Sequence, residues 1–181
     1  MGKQAILQVV GYKNSGKTTL TCELIKRLKE QGLSVGTVKH DAHRLELDTE
    51  GKDSWLHREA GAEVAAVVSE QSGVTFMTET RTLALDELLD RMTSVEVVLV
   101  EGFKRERYPK LVLIREPEHL KLLETVTAAA IIATWLPVEQ VRPYAGELPV
   151  VPIEDMEKLL EAAAAVIDEQ LGNMWTPGEG R

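Results

Sequence analysis

Residues 5–10 form a short, almost uninterrupted apolar run that stops at Gly11. A run of this length reads as a strand buried on both faces, as in a parallel sheet. Over residues 19–31 the apolar positions Leu20, Leu24, Ile25 and Leu28 recur at helical spacing along one face. Glu23 and Arg27 stand one turn apart, a spacing that suits an ion pair, and Gly32 is placed to stop the helix. Residues 35–39 read as the next strand. Strand, helix and strand make a βαβ unit, which closes right-handed on a parallel sheet.

Residues 40–53 are polar and charged, and a loop this long in a compact domain usually carries a function. A short helix follows over residues 54–60. Residues 63–68 and 74–80 are β-prone runs around Ser72-Gly73, the pattern of a hairpin, expected at the edge of an otherwise parallel sheet. Leu85, Leu88 and Leu89 share a face of a helix over residues 83–92. Residues 95–100 form a second buried strand that runs into Glu101-Gly102, and residues 111–114, 127–134 and 150–153 read as further strands. Asp155 opens a helix with Met156, Leu159, Leu160, Ala163 and Ile167 on one face, and Gly172 ends it. The expectation is one α/β domain over residues 1–172, a mostly parallel sheet flanked by helices with an antiparallel edge hairpin. Residues 173–181 are expected to be a loose tail.

The first strand and the first helix are joined by Gly11-Tyr12-Lys13-Asn14-Ser15-Gly16-Lys17-Thr18, which fits G-x-x-x-x-G-K-[ST] and is followed by Thr19. The physical demands of a phosphate cradle explain the pattern. Glycines let the backbone curl so that its N–H groups converge on phosphate oxygens, and the helix N-terminus aims its positive end at the same place. Lys17 is expected at the β- and γ-phosphates and the Thr18 hydroxyl on Mg²⁺. The fold class is thus that of a P-loop NTPase. Lys13 adds a charge that either leans over the phosphates, reaches a partner subunit or stays solvated.

Glu101 ends a buried strand, where ligands of open α/β sheets gather. It is the candidate Walker B acid, on the metal or on a water, with Gly102 allowing the backbone close to the γ-phosphate. His40, His43 and His57, with Asp41, Asp48 and Asp53, suggest a switch loop or a metal site. Oxygen ligands suit Mg²⁺ and imidazoles suit transition metals, and a polar loop without ligands is the other reading. No N-K-x-D or T-K-x-D marks guanine, so base contacts are sought after residues 127–134 or 150–153.

Composition narrows the classes. The 181 residues are 44% hydrophobic and 28% charged, ordinary for a globular protein. The net charge of −8 argues against nucleic acid and anionic membranes as partners. Cys22 alone leaves neither an intramolecular disulfide nor a cysteine zinc cluster. Without a signal peptide or a long apolar span, a cytoplasmic protein is expected.

Several segments together resemble one family: Gly-Tyr-Lys-Asn-Ser-Gly-Lys-Thr-Thr from position 11, Val-Lys-His-Asp-Ala-His from 38, Gly-Lys-Asp-Ser from 51, Ala-Gly-Ala from 60, Val-Glu-Gly-Phe-Lys from 100 and Pro109-Lys110. The sequence resembles the molybdopterin-guanine dinucleotide biosynthesis protein B (MobB) family over nearly the whole chain up to the tail. The resemblance implies a GTP-binding protein that hydrolyses GTP slowly with Mg²⁺. It also implies a homodimer whose edge strands take part in assembly, and a MobA-type guanylyltransferase partner, with molybdopterin as a further candidate ligand. The family's P-loop carries over to Gly11 through Thr19 and its acid to Glu101, and Asp53 and Ser54 inherit a place near phosphate or pterin. Two other classes stay open. One is a P-loop kinase of a small metabolite, with Arg105 and Arg107 as candidates for a lid. The other is a metallochaperone GTPase using His40, His43 and His57.

Overall fold

The structure is a computed structural model that describes residues 4–40 and 49–172. The described residues fall into two compact units, one within Met1–His40 and Leu88–Arg181, the other within Asp41–Glu87.

The first unit is built on strands β1 (Ala5–Gly11), β2 (Val35–Lys39), β5 (Val97–Glu101), β6 (Lys110–Ile114), β7 (Ala129–Thr134) and β8 (Val150–Pro152). They form one sheet in the order β2-β5-β1-β6-β7-β8, with every pairing parallel. Helix α1 (Lys17–Glu30) connects β1 to β2, and β5 later inserts between them. The central strands are mostly apolar because both faces are covered, with Gln8, Glu101 and Lys110 as buried exceptions. The period-2 alternation of a strand sorts their side chains between two cores. Leu7, Val9, Leu111, Leu113 and Ile131 pack with Leu20, Leu24 and Leu28 of α1 and with Leu159, Ala163 and Ile167 of α6 (Met156–Leu171). Val10, Val112, Ile114 and Ile132 pack on the other side with Leu122 of α4 (Lys121–Thr125) and Val141 of α5 (Val138–Ala145).

Helix ends follow local chemistry. Asp155 accepts a hydrogen bond from the Lys158 N–H as the N-cap of α6, and Gly172 closes that helix at φ 76°. The expected Glu23–Arg27 pair does not form. Glu23 instead takes Lys26 at 2.7 Å, and Arg27 reaches across to Glu157 of α6 at 2.8 Å. A tertiary partner on the packed helix outcompetes the local one.

In the second unit, α2 (Asp53–Glu59) precedes β3 (Val64–Ser69) and β4 (Val74–Glu79). The two strands pair antiparallel from Val64↔Glu79 to Ser69↔Val74. The hairpin forms as read from the sequence, but as a two-stranded sheet of its own, not as an extension of the six-stranded sheet. Helix α3 (Leu85–Asp90) follows it. Among the described residues, no helix is long and apolar enough to cross a membrane.

Candidate functional site

Strand β1 delivers the chain to Gly11 at the C-terminal edge of the sheet. A Cβ on Gly11 would come within 2.5 Å of Ser15 Oγ and 3.2 Å of Leu113 Cβ, so only glycine lets the loop fold this tightly over β6. The loop then curls, with Asn14 at φ 60° and Gly16 at φ 94°, and α1 starts at Lys17. Gly16 offers the helix no side-chain cap. The first N–H groups of α1 therefore face the mouth of the loop with their positive dipole end, the arrangement that holds an anion.

Lys17 and Thr18, on the first turn of α1, meet Glu101 at the end of β5. The Thr18 hydroxyl donates to Glu101 Oε2 at 3.2 Å. Lys17 Nζ donates to Gly11 O at 3.3 Å and Tyr12 O at 2.8 Å, folded back over its own loop. Burial pushes the Lys17 ammonium below its ordinary pKa, Glu101 pulls it back up, and Lys104 and Lys39 push it down. Glu101 itself is buried, and the register of the sheet sets it opposite Val9 on one side and Lys39 on the other. A hydroxyl and a single carboxylate at one point are an oxygen donor set of the kind Mg²⁺ uses when phosphates and water complete its shell. The residues present fit that ion.

The segment after Glu101 is held in an unusual path. Gly102 sits at φ 92°, and a Cβ there would meet His40 Cβ at 3.0 Å. Its N–H donates to Val9 O at 3.1 Å. Phe103 also has a positive φ, 50°, and its ring lies 4.8 Å from that of His40. Two buried polar side chains secure this path. Gln8 Nε2 donates to Gly102 O at 3.0 Å and Phe103 O at 2.8 Å. Lys110, fully buried, donates to Tyr108 O at 2.8 Å and to Glu106 O. Burial holds its ammonium below the ordinary lysine pKa. The lysine thus ties residues 106 and 108 to the start of β6.

Four residues outside the phosphate-loop pattern contact the loop. Lys104 Nζ lies 4.3 Å above the Tyr12 ring, and His119 stacks 4.6 Å from the same ring. Arg115 donates to Asn14 O. Trp135 Nε1 donates to Ser15 O at 3.2 Å. Arg115 and Trp135 each directly follow a buried strand, β6 and β7, and the rule that ligands gather at strand ends is the signal that finds them.

The geometry thus brings Gly11, Tyr12, Asn14, Ser15, Gly16, Lys17, Thr18, Glu101 and Gly102 together. Lys13 and Thr19 are exposed beside them. Asp53 and Ser54 open α2 in the second unit, where His57 also lies. Asp41, His43 and Asp48 lie outside the described residues. Among the described residues, no group of three or more histidine, cysteine or acidic side chains is arranged to hold a metal. Arg107, a candidate for a kinase lid, packs over Tyr108 at 5.3 Å.

Comparison with known proteins gives the family. The family model described as "Molybdopterin guanine dinucleotide synthesis protein B" (MobB) matches residues 6–135. The molybdopterin-guanine dinucleotide biosynthesis adapter protein of Haemophilus influenzae is 38% identical over 137 residues, 74% of this chain and 76% of that protein. The adapter protein of the same name from Escherichia coli is 34% identical over 172 residues, 92% of this chain and 95% of that one. The crystal structure of Bacillus subtilis MobB superposes with a TM-score of 0.75 at 34% identity, covering 90% of this chain and 97% of that one. Spread over most of the chain, these agreements establish that it belongs to the molybdopterin guanine dinucleotide synthesis protein B (MobB) family.

Proposed function

We propose that this protein binds GTP with Mg²⁺ at the loop of Gly11 to Thr18, hydrolyses it slowly, and serves as an adapter to a MobA-type guanylyltransferase. That enzyme would attach the guanine nucleotide to molybdopterin. The observation that carries the reading is the meeting of Lys17, Thr18 and Glu101 at the C-terminal ends of β1 and β5. The relatives named as molybdopterin-guanine dinucleotide adapters supply the pathway.

The residues divide the work. Backbone N–H groups of the loop and of the first turn of α1 take phosphate oxygens. Lys17 exchanges its two loop carbonyls for β- and γ-phosphate oxygens, a trade that strengthens its hydrogen bonds because the acceptors are charged. Thr18 and Glu101 hold Mg²⁺, which when bound neutralises charge on the β- and γ-phosphates. Gly102 keeps the backbone close to the terminal phosphate. Asp53 and Ser54 are proposed near phosphate or pterin through the family resemblance. The chain works as a homodimer.

The test is thermal unfolding with and without GTP and Mg²⁺. At a ligand concentration of about 100 times Kd the stabilisation is roughly 2.7 kcal/mol. For a chain of this size that raises Tm by about 5–11 °C. Lys17→Ala should abolish the rise. An equal rise in wild type and variant would defeat the assignment, and a much larger rise with ATP would remove the preference for guanine.

A further inference from the structure

We propose that Trp135 is the platform on which the nucleobase of the bound nucleoside triphosphate stacks, an inference that rests on the nucleotide-binding reading above. The argument begins with direction. Thr18 and Glu101 mark the metal end of the phosphate chain, and Glu101 belongs to β5, on one side of β1. The other end of a nucleotide must leave the loop on the opposite side, over β6 and β7. Trp135 stands there, the first residue beyond β7.

Its presentation is specific. Trp135 N–H donates to Ile114 O at 2.9 Å, which carries the ladder between β6 and β7 one step past β7. Thr134, fully buried, takes the Leu136 N–H on its hydroxyl at 2.9 Å, and the same hydroxyl bonds Leu136 O at 3.2 Å. A side-chain turn of this kind fixes the backbone on both sides of Trp135. The indole edge is pinned to the loop through Nε1 and Ser15 O, and the ring comes within 3.6 Å of where a Cβ on Gly16 would lie. Arg115, itself bonded to Asn14 O, sits 5.4 Å from the ring centroid. Despite these anchors the residue remains 51% exposed. A tryptophan ordered by its polar edge, with half its surface left open beside a phosphate loop, has the properties of a stacking surface. Stacking accepts any base, so Trp135 contributes affinity for a nucleoside over a bare phosphate chain without selecting among bases.

The experiment uses the full chain and two ligands, GTP and inorganic tripolyphosphate, each with Mg²⁺, titrated calorimetrically into wild type, Trp135→Phe and Trp135→Ala. Trp135→Ala should weaken GTP roughly five- to a hundredfold, as loss of one base–aromatic stack implies, while tripolyphosphate binding stays within about twofold. Trp135→Phe, which keeps a ring but loses the Nε1 bond, should retain most of the GTP affinity. GTP should also quench tryptophan fluorescence in wild type but not in Trp135→Phe, and tripolyphosphate should quench neither. Equal weakening of both ligands in Trp135→Ala would make Trp135 a brace of the loop and overturn the proposal. Unchanged GTP affinity would overturn it as well. A wild type that binds neither ligand would defeat the nucleotide-binding reading itself.

Discussion

At the scale of single residues, the proposed triphosphate site offers, among the described residues, few groups for cleaving its ligand quickly. Glu101 is the acid proposed to act on the metal or on a water, and it accepts the Thr18 hydroxyl. The guanidinium that touches the loop, Arg115, is committed to Asn14 O and lies beside Trp135. It supports the loop's outer wall. Turnover is therefore expected well below the median enzyme value of about 10 s⁻¹. Glu101→Gln keeps an acceptor for the Thr18 hydroxyl but removes the negative charge. It should lower release of phosphate further and leave the dissociation constant for GTP within a few-fold, measured side by side on one preparation. Unchanged turnover would deny Glu101 a catalytic part.

At the scale of elements, α1 links the core to the site, since its N-terminus forms the cradle and its Leu20, Leu24 and Leu28 stripe is buried against the sheet. Leu24 is 1% exposed. Leu24→Ala should destabilise the protein by about 2–5 kcal/mol through lost burial and a residual cavity, read from urea unfolding midpoints. Retention of full stability would mean that α1 is not packed as described. This helix was also the most legible part of the chain, because strand, glycine-bounded loop and apolar stripe each constrain the other two. Its start lies at Lys17, two residues earlier than the apolar pattern suggests, because the curl of the backbone ends at Gly16, and side-chain pattern does not report backbone curl. The strand expected from residue 127 begins at Ala129, after Ala128 at φ 54°. Helices α4 and α5 escaped the periodicity. The first has five residues and the second has eight with Pro143 inside it, too few turns for a period to emerge. Within the site, the loop and Glu101 were readable as a motif and a strand end. Base contacts are already sought from the sequence after residues 127–134, where Trp135 stands, but the place of Trp135 and Arg115 beside the loop depends on strand order, which is set by which strands bury one another across the whole sheet.

At the scale of the molecule, the hairpin of the second unit is the surface proposed for the homodimer. Val64, Val67, Val68, Val74 and Met77 are each between 45% and 68% exposed on one small two-stranded sheet. Phe76, in the same run of residues 74–80, is half-buried. By the strand register Val64, Val68 and Met77 share one face and Val67 and Val74 the other, and exposed apolar side chains on a short hairpin invite pairing with a second copy. Light scattering at micromolar concentration should report a dimer, and Val68→Lys should shift it toward monomer. A wild-type monomer at that concentration would defeat the idea.

The same scale separates an adapter from a free-standing transferase. Making a guanine dinucleotide requires attack at the α-phosphate of GTP, with release of pyrophosphate. In the proposed site Lys17, Thr18 and Glu101 instead gather at what would be the metal end of the cradle, the end that prepares the bond between the β- and γ-phosphates. At the other end, Arg115 and Trp135 contact carbonyls of the loop, and neither is a base that could activate an attacking pterin phosphate. The protein alone should therefore yield GDP and phosphate from GTP, and no dinucleotide. With a MobA-type guanylyltransferase and molybdopterin present, it should raise the yield of the guanine dinucleotide, and Lys17→Ala should lose that help while the transferase keeps its basal activity. Reconstitution from purified components, assayed in parallel for phosphate, pyrophosphate and dinucleotide, distinguishes the two arrangements. Pyrophosphate and dinucleotide formed by this protein without the transferase would falsify the adapter reading, because the β–γ end of the cradle would then not be where its chemistry is done.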